Sequence, residues 1–201
     1  MFLSGVLFIL FLAGCWLYCL TDATLTGADL TRANMDGTVL RRAKLQRANL
    51  QGASLFATII EAANLNGANL TGTRVIGYLR SAKLVGAIMK DANMGADPGN
   101  QSMGVMRATF VGADLTGADL SHTNLYKADL SHATLAKARL VGTRLSNADL
   151  LQTDFTHADL TDAKLDKADI DGADFTGAVG LDRARGLDQA RNRDKATFDA
   201  K

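Results

Sequence analysis

Residues 23–77 read ATLTG ADLTR ANMDG TVLRR AKLQR ANLQG ASLFA TIIEA ANLNG ANLTG TRVIG, blocks of five without a break. The third residue of each block is apolar (Leu25, Leu30, Met35, Leu40, Leu45, Leu50, Leu55, Ile60, Leu65, Leu70, Val75), and the first is always Ala or Thr. A period of five fits neither regular element. Five residues of α-helix advance about 500°, so the leucines would spiral over every face, and in a strand an odd period sends alternate leucines to opposite sides. A coil that turns a corner every five residues does satisfy it, with the large residue and the small Ala or Thr inside and the polar residues outside. Each unit then buries its apolar residue only by stacking on the next, as in a solenoid.

After a one-residue slip the pattern runs on through Leu79, Leu84, Met89 and Met94, and a second long run goes from Phe110 through Leu115 and Leu120 to Ile170 and Phe175, about 29 repeats in all. These blocks resemble the pentapeptide-repeat family, whose pattern is Ala-(Asp/Asn)-Leu-x-x, over about residues 21–178. The resemblance implies an all-β fold, a right-handed quadrilateral β-helix with about 20 residues per coil. About seven coils at the spacing of paired strands make a rod roughly 35 Å long.

Residues 1–20, MFLSGVLFILFLAGCWLYCL, carry no charge, and a helix of that length spans a bilayer core. Two fates stay open. Trp16 and Tyr18 suit the interfacial belt of an uncleaved, single-pass transmembrane helix. Leu12-Ala13-Gly14-Cys15 looks instead like a lipobox with Cys15 as the lipidated residue, although no basic region precedes it. Only Cys15 and Cys19 are present, so no disulfide framework or thiolate metal site can form downstream.

Two segments interrupt or end the pattern. Around residues 95–107 about 11 extra residues, with the only proline, Pro98, read as a loop insertion carrying Met103 and Met106 as adaptable apolar contacts. Residues 179–201 lose the repeat, keep Leu181, Leu187 and Phe198 as anchors, and read as a C-terminal cap over the open end of the solenoid. Residues 20 apart stack, so Val39 lies beside Ile59 and Phe56 beside Ile76. Outward apolar residues are exceptional in this pattern, and these four, with Met103 and Met106, are the candidate protein-interaction residues.

Charge divides along the chain. The total is +1, but residues 21–107 hold 10 basic and 6 acidic residues while residues 108–201 hold 12 and 15. Asp129, Asp149 and Asp169 should form one column, Asp114, Asp154 and Asp174 the next, and Arg144 and Lys164 another. A near-neutral chain gives no electrostatic reason to expect nucleic acid.

No chemistry emerges. His122, His132 and His157 fall on three different sides of the coil and cannot converge on one ion. The aspartates recur at the repeat's own spacing, and the glycines mark corners, not a phosphate loop. A prism filled with Leu and Ala leaves no substrate cavity. The expectation is therefore no enzyme, no cofactor and no small-molecule substrate. The chain reads as a membrane-anchored structural or interaction scaffold, an accessory subunit of a larger complex in a bacterial inner membrane. Its partners would be integral or peripheral membrane proteins, and residues 1–20 would meet the lipid bilayer. The alternatives are a free-standing lipoprotein of the cell envelope and, by resemblance to family members that protect DNA gyrase, a DNA-mimicking gyrase-interacting protein. That last role needs a strongly acidic surface.

Overall fold

The computed structural model describes residues 19–96 and 106–200. The transmembrane or lipoprotein segment, with Cys15, and Met103 of the insertion lie outside these residues. Among the described residues no helix is long and apolar enough to cross a membrane.

The chain winds into a stack of four-sided coils. Each side is a short extended piece joined by single bridges to the coils on either side of it, and every bridge is parallel. One column runs Cys19, Val39, Ile59, Tyr78, Thr109, Asp129, Asp149, Asp169, Arg191. The next three begin at Thr24, Asp29 and Asn34, and the four faces are named here by these first residues.

The repeat explains its own corner. The carbonyl of each central residue accepts a hydrogen bond from the amide three residues on, as from Ala48 to Leu45 (3.0 Å), which closes a β-turn. The second turn residue has positive φ, supplied by Gly27 (66°) and equally by Arg47 (56°) or His122 (59°). Positive φ at that position is the type II pattern. Asp or Asn ahead of the central residue supports the turn: Asp114 Oδ1 accepts from the Thr116 amide (3.0 Å), and Asn64 Oδ1 from the Asn66 amide (3.1 Å). The frequent Asp is thus an Asx-turn residue that Asn can replace.

The interior holds the central Leu, Ile, Met and Phe side chains and the small residue two positions earlier, nearly all fully buried. Where Thr takes the place of Ala, its hydroxyl donates to a core carbonyl. Thr143 Oγ1 reaches Leu120 O at 2.7 Å and Thr153 Oγ1 reaches Leu130 O at 2.9 Å, so the buried polar group is satisfied.

Two coils depart from this geometry. Strands β1 (Ser54–Ile59) and β2 (Arg74–Tyr78) pair parallel through one corner, with an irregular register between Phe56 and Ile59. The slip in the repeat falls here, because only three residues separate Val75 from Leu79. A Cβ at Gly77 would overlap the Thr58 carbonyl oxygen, so glycine is required by close approach and not by its φ.

Past Phe175 the stack continues irregularly. Val179, Arg185, Arg191 and Thr197 bridge back to Asp159, Lys164, Asp169 and Asp174, with 3-10 turns at Leu187–Gln189 and Arg193–Lys195 between them. The tail thus winds one further coil. Phe155, Phe175 and Phe198 stack in file, with ring centroids 5.0 and 5.1 Å apart and planes within 4°.

Candidate protein-interaction surface

The surface is built on the Cys19 face. Its first half carries Val39, Ile59 and Tyr78 in direct succession, at the repeat position that on most other coils holds Asp, Asn, Lys or Arg. Tyr78 is 54% exposed, and Val39 and Ile59 are half-buried between their stacked neighbours. At the adjoining corner Phe56 is half-buried, with the Arg74 guanidinium 4.6 Å from its ring centroid. Phe56 therefore presents a cation-covered ring instead of a bare apolar one.

Ile76 corrects the expectation that it points outward: it is only 2% exposed. The missing residue tightens the corner, Gly77 closes on the Thr58 backbone, and Ile76 is drawn in with it. Tyr78 takes its place as the outward residue of that coil. Its signal was present in the sequence as an aromatic side chain directly before a core leucine, which the slip hides from simple counting. Val85 and Ile88, 38% and 42% exposed, are two further apolar residues that counting missed. Met106 is half-buried where the chain re-enters the stack, beside Ile76, Gly77 and Tyr78 on a shallow cleft of about 270 Å³.

The second half of the same face has the opposite character. Asp129, Asp149 and Asp169 stack as the spacing predicts. Arg107 reaches Asp149 at 2.6 Å and Asp129 at 3.4 Å, and Arg191 lies 3.7 Å from Asp149 and 3.6 Å from Asp169. Two arginines from the two ends of the column thus neutralise most of its charge. Their corner also forms an open groove of about 400 Å³ lined by Arg107, Lys127, Asn147, Lys167 and Arg191.

Elsewhere the carboxylates serve the turns. The Thr176 hydroxyl and amide hold the Asp174 carboxyl below the usual carboxylate range, and Thr31 does the same for Asp29. His122, His132 and His157 occupy three different corners, all in the left-handed turn position. Among the described residues no three His, Cys, Asp or Glu side chains are placed to hold a metal ion.

The sequence family of pentapeptide repeats, described as eight copies, matches residues 19–55, 106–140 and 138–177. The chain belongs to the pentapeptide-repeat family. Its members form right-handed β-helices and are generally structural or interaction proteins. Among solved structures, full-length QnrB1, a plasmid-mediated fluoroquinolone resistance protein, is 22% identical, with a TM-score of 0.59 over 81% of this chain and 83% of its own. That likeness establishes the shared fold. HetL, a pentapeptide-repeat protein involved in heterocyst differentiation regulation from the cyanobacterium Nostoc, is 31% identical over 90% of this chain and 87% of its own, with a TM-score of 0.35. No curated protein sequence matches the chain.

Proposed function

We propose that this pentapeptide-repeat protein is a membrane-tethered scaffold that binds another protein through the first half of the Cys19 face. The observation that carries the reading is the succession Val39, Ile59, Tyr78, three apolar side chains at a position filled by Asp, Asn, Lys or Arg on most other coils. An apolar stripe bordered by polar columns is the surface chemistry of a docking site. Residues 1–20 supply the tether, as a retained helix or as a lipid on Cys15, and they join the stack at the same end as the stripe. The partner is then an integral or peripheral membrane protein, and the scaffold an accessory subunit of its complex.

A gyrase-directed role is the weaker reading. QnrB1 shares the fold, but a DNA mimic needs exposed, uncompensated carboxylates. Here Asp129, Asp149 and Asp169 are bound by Arg107 and Arg191, the unpaired Asp114, Asp154 and Asp174 share their face with Lys44 and Lys83, and the Asn34 face carries Arg144, Lys164 and Arg185.

The test is co-purification of full-length protein from gently solubilised native membranes. Replacing Ile59 and Tyr78 by Ser should remove a stoichiometric companion while circular dichroism shows the β-helix intact. An unchanged set of companions would rule this stripe out as the contact.

A further inference from the structure

We propose that two copies of this chain associate side by side and antiparallel through the Thr24 face. The face reads, coil by coil, Thr24, Lys44, Asn64, Lys83, Asp114, Thr134, Asp154, Asp174, Thr197. Its cations lie in the first half and its carboxylates in the second. Among the described residues none of Lys44, Lys83, Asp114, Asp154 and Asp174 forms an ion pair within the molecule, and this face, unlike the all-cationic charges of the Asn34 face, carries both signs. The columns beside it hold internal pairs, as of Arg107 with Asp149 on the Cys19 face and of Lys90 with Asp119 on the Asp29 face. Asp114, Asp154 and Asp174 each commit Oδ1 to a turn amide, which leaves Oδ2 for an outside donor.

Charge fixes both the direction and the register of the pair. Parallel rods would set Lys on Lys and Asp on Asp, each costing free energy. With antiparallel rods, an axis through Asp114 would oppose that carboxylate to its own copy, and an axis through Lys83 would do the same to the ammonium. An axis midway between them sets Lys83 against Asp114 and Lys44 against Asp154, each twice by symmetry, with Asn64 on Thr134. Successive coils are about 4.8 Å apart in both rods, so all four pairs come into line together. Such an interface is isologous and closes on itself as a dimer.

Ahead of the face the corner is largely self-neutralised. At the corner ahead of the face, Arg41 is held by Glu61, Arg42 by Asp22 and Asp171 by Lys195, so these groups bring little net charge to the edge. The exposed pairs are individually weak and easily screened, so the dimer should form at low ionic strength and dissociate as salt rises.

The experiment uses full-length chains bearing two different tags, co-expressed, solubilised in non-ionic detergent at low salt and captured through one tag. Wild-type copies should co-purify and be lost in high salt. Lys44→Glu/Lys83→Glu should fail to capture itself, as should Asp114→Lys/Asp154→Lys, while each double variant captures the other. Lysine at positions 114 and 154 suits the fold, because Lys44, Lys83 and Lys164 already fill the equivalent position. Restored capture by the mixed pair also shows that both variants are folded. Failure of wild-type copies to co-purify, self-capture by either variant at the wild-type level, or no capture in the mixed pair would each overturn the proposal.

Discussion

Ile59 and Tyr78 pair across adjacent coils although the repeat between them is one residue short. The ladder absorbs the deletion at Gly77, which packs directly against the Thr58 backbone and keeps the outer column in line. The apolar stripe therefore depends on a glycine that takes no part in it.

Replacing Gly77 by Ala should destabilise the first half of the rod by more than about 2 kcal/mol, since the new methyl has no room and the obstacle is backbone. Thermal denaturation followed by circular dichroism checks it. Gly72→Ala is the control. Its φ is 64° and a Cβ there meets nothing within 4 Å, so it should cost less.

At the other end of the stack, Phe175 is fully buried between Phe155 and the half-buried Phe198. Phe175→Ala should cost about 3–5 kcal/mol through lost burial and the cavity left behind. Phe198→Ala should cost less, because that ring is partly exposed under the Arg193 guanidinium, 5.1 Å from its centroid. In a stack held by nearest neighbours, both losses should fray the C-terminal coils first, visible as faster amide exchange after residue 150 than before residue 90.

Acid should weaken the coils through their Asx turns. The Asp174 and Asp29 carboxyls are held low by Thr176 and Thr31, so the folded state favours their ionised forms. A depressed folded-state pKa contributes stability that is fully present above the unfolded value, about 3.9, and is lost as pH falls through the lower folded value. Stability should therefore decline on acidification below about pH 4, and Asp174→Asn should shallow that decline while keeping the turn. A denaturation midpoint that rises on acidification would contradict the assignment.

The fold was largely legible because it is local. A period of five with a small residue two places before a large one dictates a corner in every block, so stacks such as Asp129 with Asp149 follow from counting. What counting could not reach depends on contacts between coils. Ile76 follows the outward rule in sequence but is buried by the approach of Gly77 to Thr58. Tyr78 falls into the same column only once the deletion is placed. Arg107, just ahead of the second run, spans two coils to Asp149, a contact set by side-chain reach across the stack.

The most direct test of the scaffold reading is cross-linking from Tyr78 itself. A photoreactive amino acid at position 78 of the full-length chain, activated in intact membranes, should yield one dominant adduct with a membrane protein. The same reporter at Thr134, on the Thr24 face, should not yield that adduct. Equal adducts from both positions, or none from position 78, would contradict a docking stripe at Val39, Ile59 and Tyr78.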